Sequence, residues 1–272
     1  MVQFTTQMRY FRTNSELTRA IIRSPSRNFA AGLTSSGLPA PDHQLTVKQH
    51  DHYCLALENL GLRLIRLPAD ERHPDSTFVE DTAILTKRVA VITRPGAPSR
   101  RSEVDDITQT LNQFYSSVQT ITGPGTLDGG DVCQVGDHFF VGVSARTNQD
   151  GATQLSEILR RAGYSCTSID IQDLSPRLLH LKSGLAYLGG NNLVVDSELF
   201  DRAEFQEFDR ICPDPDEAYA ANCLAFGNTI LIAAGYPRFE AQLRLVGFNT
   251  VTLNMSEFQK MDGGLSCLSL RF

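Results

Sequence analysis

Cys267 lies in the segment Asp262-Gly263-Gly264-Leu265-Ser266-Cys267-Leu268-Ser269-Leu270, where paired glycines meet a short apolar run. Glycines permit backbone angles and close approaches that a side chain would block, and the apolar residues after them read as a buried strand. A thiol fixed there at a cavity wall can act as a nucleophile, although a lone buried cysteine more often serves as a small core hydrophobe. The case rests on its partners, and four polar clusters at strand ends or in loops offer them. Asp75, Glu80 and Asp81 set three carboxylates within seven residues, and planar carboxylates match a guanidinium through paired hydrogen bonds. Thr126-Leu127-Asp128-Gly129-Gly130-Asp131 presents Asp128 beside two glycines, or is simply a turn with a side-chain cap. His180, between Leu179 and Leu181, is an imidazole in apolar surroundings, fit for proton transfer or for a satisfied place in a core. Arg100 and Arg146 each follow a strand that closes a hairpin. Two converging forks would bind a carboxylate; singly, such arginines solubilise a surface.

The elements that must position these groups recur. Between about Phe78 and Arg238 the pattern is a short apolar strand, a tight polar turn, a second apolar strand, a loop bearing Arg or Gly, and an amphipathic helix. The first copy predicts strands over 78–85 and 89–92 and a helix over 102–117. The second predicts strands over 130–135 and 138–143 and a helix over 149–162. A third spans 184–196. A fourth pairs 222–226 with 229–233 across Gly227-Asn228, a hairpin signal, and continues to a helix over 239–245. A strand at 19–23, a helix over 42–60 and the strand at Cys267 supply a fifth unit. The two ends of the chain would then share one module and close the structure radially, removing exposed sheet edges. The expected fold is α/β, a five-bladed αβ propeller of ββαβ-type modules in one domain, 1–272. An open α/β sheet with the same elements is the alternative.

A chain of 272 residues with 41% hydrophobic content buries a large core without staples. The six cysteines lack CxxC spacing, which argues against a zinc ribbon or a redox pair. Met1–Tyr10 has no apolar signal core and no later stretch holds 18 consecutive apolar residues, so the expectation is a cytoplasmic protein with no membrane association. A net charge of −6 disfavours a phosphate backbone as partner and suits a cationic small molecule.

Taken together, these residues resemble the dimethylarginine dimethylaminohydrolases, a branch of the guanidino-group-modifying superfamily that also contains arginine deiminase. The matching stretches are 27–36, Pro74 to Asp81, Thr93 to Arg101, Ser144 to Asn148, His180 to Leu188 and Gly263 to Cys267. That family folds as a five-bladed propeller. The resemblance implies hydrolysis of Nω-methylated arginines to citrulline and an amine, with Cys267 as nucleophile, His180 as general acid and base, and Asp81 and Asp128 holding the guanidinium. Some relatives carry a glutamate where this chain has Asp128. Asp75 and Glu80 become further substrate-site carboxylates, Arg100 and Arg146 face the α-carboxylate, and the main chains of Leu33, in a lid, and Met261 read the amino-acid end. No metal or organic cofactor is implied, although a Cys, His and Asp cluster could take zinc adventitiously. The implied partner is a small molecule, a methylated arginine, and a homodimer is compatible with the sequence. Two other functions stay open: hydrolysis of another guanidine such as free arginine, and a non-catalytic binding propeller.

Overall fold

The computed structural model describes residues 17–175 and 177–272; the stretch Met1–Tyr10 read above lies outside the described residues. Fifteen strands are described: β1 (Arg19–Arg23), β2 (Arg63–Leu67), β3 (Ala83–Leu85), β4 (Ala90–Ile92), β5 (Val118–Thr120), β6 (Val132–Val135), β7 (His138–Val143), β8 (Ser165–Asp170), β9 (Leu185–Gly189), β10 (Asn192–Val195), β11 (Asp209–Ile211), β12 (Leu224–Phe226), β13 (Thr229–Ala233), β14 (Asn249–Leu253) and β15 (Leu270–Arg271). They form five three-stranded sheets, ordered β3-β4-β5, β6-β7-β8, β9-β10-β11, β12-β13-β14 and β15-β1-β2. In each, a first strand pairs antiparallel with the middle strand, which pairs parallel with the last. The fifth sheet joins the two ends of the described chain: Ala20 lies opposite Arg271, as the modular reading requires. First strands meet between modules, β15 with β3, β6 with β9 and β9 with β12, so the sheets stand side by side around a shared centre.

Four of the five parallel crossovers carry helices: α1 (His43–Asn59), α2 (Val104–Leu111), α3 (Gln149–Arg161) and α4 (Pro237–Val246). Their ends follow from local chemistry. The Asp42 carboxylate caps α1 by accepting from Leu45 N at 2.7 Å, and the Asn148 amide oxygen caps α3 by accepting from Gly151 N at 2.9 Å. Pro237 opens α4, and Gly247, at φ 104°, closes it. Two expectations change. The helix expected over 102–117 begins as a 3-10 turn, Pro98–Glu103, and is α-helical only through Leu111. The crossover from β10 to β11 holds only a 3-10 turn, Ala203–Phe205. A short further helix, α5 (Ser256–Gln259), precedes the cysteine segment.

The expected strand entrances at 78–82 and 130–131 are instead 3-10 turns, and this repeats. Val79–Thr82 leads into β3, Gly129–Asp131 into β6, Leu181–Ser183 into β9, Pro215–Ala221 toward β12, and Ser266–Leu268 into β15. Neighbouring turns touch one another in a ring. Every module therefore delivers one tight turn to the same end of the centre. Apolar clusters lie behind the turns, such as Phe29, Phe78 and Phe258 packed edge to face. No described helix is long and apolar enough to cross a membrane.

Candidate active site

The ring of turns gathers the polar residues. Asp81 sits on the first, Asp128 caps the second, His180 caps the third, Asn222 ends the fourth and Cys267 rides on the fifth. Cys267 thus occupies a turn before the last strand, where the sequence suggested the strand itself. A Cβ on Gly264 would fall 2.5 Å from the Asn222 amide, and one on Gly263 would fall 2.3 Å from the Phe78 ring. Only glycines let the chain pass there. Asn222 then anchors the turn, accepting from Ser266 N at 2.9 Å and donating to Ser266 Oγ at 3.0 Å. The result is a half-buried thiol on the wall of a cavity of about 410 Å³, shared with His180, Glu80, Lys182 and the loop residues Ser35, Ser36 and Leu38.

His180 faces three carboxylates. Its Nε2 lies 3.2 Å from Asp128 Oδ2, and the other Asp128 oxygen accepts from Gly96 N at 2.8 Å. Burial alone would lower its pKa, but Asp81, Asp131 and Asp128 outweigh that and raise it to about 9, so the ring is an imidazolium at neutral pH. A Cβ on Gly130 would lie 2.7 Å from His180 Nδ1, which explains the second glycine of the Asp128 cluster. For Cys267, burial and then Glu80 and Asp81 push the thiol up to about 12, against the Gly264 N–H at 3.4 Å from Sγ. The two residues make no hydrogen bond with each other among the described residues. The resting pair is a neutral thiol and an imidazolium.

Asp81 accepts from Arg100 Nη1 at 2.6 Å and from Gly130 N at 2.9 Å. Burial raises its pKa, but the His180 and Arg100 charges prevail and hold it low. Glu80 takes Lys182 at 2.6 Å, Ser266 Oγ at 2.6 Å and Arg271 at 3.2 Å, a buried charge held by two cations beneath the cysteine turn. Asp81, Asp128 and His180 bring three donor atoms within 4.8 Å of one another, the one described group that could grip a cation. A metal there would have to displace the His180 proton and compete with Arg100, so the donor set suits a proton and an organic cation better.

The groups expected at the amino-acid end part company. Arg146 is half-buried, and among the described residues its guanidinium makes no hydrogen bond or ion pair, while its charge reaches Asp75. Arg100 faces inward. It is buried, with Nε and Nη2 on Glu103, Nη2 also on Phe78 O and Nη1 on Asp81, which leaves it one Nη1 N–H for a ligand. The Asp75 carboxylate accepts from Leu33 N at 3.0 and 3.1 Å, so it anchors the backbone of the Leu33 loop and leaves that residue its carbonyl. Met261 is buried in the aromatic cluster and donates its N–H to Phe258 O, again leaving a carbonyl. The same loop is tied to the cysteine segment: Ser35 Oγ donates to Asp262 at 3.0 Å, and Thr34 and Ser36 hydroxyls donate to Lys260 O at 2.9 and 2.7 Å. Sequence reasoning missed Glu103, Asn222, Lys182 and Asp131. Asp131 stood inside a flagged cluster, and Glu103 follows Arg100 by one helical turn; Asn222 carried no signal beyond its module.

The arginine deiminase family profile matches residues 71–230. The N(G),N(G)-dimethylarginine dimethylaminohydrolase of Pseudomonas aeruginosa is 45% identical over 93% of this chain and 98% of its own length, and that of Streptomyces coelicolor is 35% identical over 93% and 96%. A solved structure of a cysteine-to-serine variant of the Pseudomonas aeruginosa enzyme with citrulline superposes with a TM-score of 0.91 at 44% identity, covering 94% of this chain and 99% of that one. A fold-level match extends to the N-terminal domain of a cyanobacterial arginine dihydrolase, with a TM-score of 0.85 at 16% identity, covering 94% and 98%.

Proposed function

The chain belongs to the dimethylarginine dimethylaminohydrolase branch of the arginine deiminase family, and we propose that it hydrolyses Nω-methylated and asymmetric Nω,Nω-dimethylated arginine to citrulline and methylamine or dimethylamine. The observation that carries this reading is a thiol and an imidazole on one cavity, with the carboxylates of Asp81 and Asp128 gathered beside the imidazole as a seat for a small organic cation.

Bound guanidinium supplies that cation. It lies against Asp81 and Asp128 and offsets the negative charges that hold the thiol protonated, so Cys267 releases its proton to solvent as substrate binds. The thiolate attacks the guanidinium carbon, forming a C–S bond. His180, displaced from Asp128 by the substrate, gives its proton to the substituted nitrogen, and the C–N bond breaks with departure of the neutral amine. The imidazole then takes a proton from water, hydroxide adds to the same carbon, and the C–S bond breaks as the remaining hydroxyl proton passes to solvent, leaving citrulline and thiolate. Arg146 reads the α-carboxylate, with one N–H from Arg100 in support, and the carbonyls of Leu33 and Met261 accept from the α-ammonium.

The whole chain, 1–272, acts as one catalytic domain in this reading. Six free thiols favour a reducing compartment, the cytoplasm, and a homodimer remains an expectation for light scattering to measure. The test is side-by-side turnover of asymmetric dimethylarginine, monomethylarginine, arginine and agmatine, following the ureido product and the released amine. The reading predicts the methylated arginines as best substrates. Preference for free arginine would move the assignment to a deiminase.

A further inference from the structure

Asp131 does not line the cavity, yet its buried carboxylate ties the His180 turn, which does, to the 144–147 loop that carries Arg146. One oxygen accepts from Leu181 N at 3.0 Å, immediately after His180. The other accepts from Ser144 Oγ and Thr147 Oγ1, both at 2.7 Å. Each hydroxyl passes the connection on. Ser144 Oγ accepts from Arg146 N at 3.0 Å, and Thr147 Oγ1 accepts from Asp128 N at 3.1 Å. Because Asp128 in turn holds the His180 imidazole, the bonds close a ring through Asp131, Thr147, Asp128, His180 and Leu181. A branch through Ser144 reaches the backbone of Arg146. The ring is packed tightly: a Cβ on Gly142 would lie 3.1 Å from the Asp131 carboxylate.

We infer that Asp131 is a positioning residue that fixes the separation between the His180 imidazole and the Arg146 guanidinium, and so sets the length of substrate the site accepts. The inference rests on the guanidine-hydrolase reading above. A substrate of that class is held at its cationic end beside His180 and at its carboxylate by Arg146. The distance between those grips selects the number of methylenes between the two ends. Three charge-assisted bonds to one buried carboxylate hold it where loop backbone alone would drift, and small displacements at a reacting centre are costly.

The test measures turnover of Nω-methylated arginine, its homologue with one more methylene, and its decarboxylated counterpart, in wild type and in Asp131→Asn, Ser144→Ala and Thr147→Val. An Asn amide at 131 still accepts from Leu181 but turns an N–H toward Ser144 Oγ, whose lone pairs already receive the Arg146 and Thr147 amides. Asp131→Asn also removes a charge that raises the His180 pKa, which lowers kcat for all three substrates alike; beyond that, the expected result is a KM for methylated arginine raised about tenfold and a preference for arginine length over the homologue reduced about tenfold, with the KM of the decarboxylated substrate held. Ser144→Ala, a smaller change, reproduces the raised KM and the reduced preference if Asp131→Asn fails to fold. Thr147→Val acts on the Asp128 side and lowers kcat for all three substrates by a common factor while keeping the length preference. An equal change in KM on all three substrates, with the length preference kept, in Asp131→Asn and Ser144→Ala would overturn the inference with the hydrolase reading intact. A wild type silent toward methylated arginines would overturn that reading first, and the inference with it.

Discussion

Asp128 gives one carboxylate oxygen to His180 Nε2 at 3.2 Å and the other to Gly96 N at 2.8 Å, so a wholly buried acid is dedicated to holding one imidazole and one loop. Asp128 is therefore engaged with His180 in the resting site.

Asp128→Asn keeps a group to accept from Gly96 but removes a charge that raises the proton affinity of His180. The expected outcome is a kcat lowered roughly 10- to 100-fold, with the alkaline limb of the rate profile moved to lower pH, because the imidazole loses its proton sooner. A pH–rate series on folded variant checks both. An unmoved limb would take Asp128 out of the tuning of His180.

Arg146→Ala removes the one guanidinium of the site without a protein partner among the described residues. KM for substrates bearing an α-carboxylate should rise roughly 10- to 100-fold, since a charged hydrogen bond contributes about 1.5–3 kcal/mol. Agmatine, if it turns over, should lose much less. Equal losses for both would make Arg146 a structural arginine.

Arg100→Ala should act first on stability. It strands Asp81 and Glu103, both buried and both facing Arg100 within 3.1 Å. Removing one partner of a buried ion pair costs about 3–5 kcal/mol. Urea unfolding should show that loss, and Glu103→Gln should lose less, because Asp81 keeps its partner. A variant as stable as wild type would contradict the inward role given to Arg100.

Much of this was legible in the sequence. The strand-turn-strand repeat located the five modules, and β1 with β15 joined the two ends as the repeat demanded, because alternating apolar runs broken by glycine turns register directly in chain order. The missing helix between β10 and β11 and the 3-10 turns before the first strands were not legible. Both are set by contacts around the shared centre, where carboxylates and amides from different modules satisfy one another, and no local propensity records that. Cys267, His180, Asp81 and Asp128 stood out as polar residues in apolar runs. The inward commitment of Arg100 did not, since its partner Asp81 is far away in sequence and an arginine after a strand reads the same whether it faces solvent or a buried acid.

His180 also links stability to pH. Its pKa in the folded protein, about 9, lies above the usual 6.5, so its contribution is fully present below about 6.5 and is lost as pH rises through about 9. At 1.36 kcal/mol per unit this amounts to roughly 3 kcal/mol before neighbouring carboxylates adjust. Urea midpoints between pH 6 and 10 should fall for wild type and stay flatter for His180→Gly. Parallel curves would mean that His180 is not the imidazolium described here.

The most direct test of the account is to mix the protein with asymmetric dimethylarginine, quench with acid during turnover, and map the mass of the peptide that carries Cys267. The account predicts an adduct on Cys267 equal to substrate less dimethylamine, citrulline and dimethylamine in equal amounts, and neither adduct nor product in Cys267→Ser. Sustained turnover by Cys267→Ser, or an adduct on another residue, would contradict it.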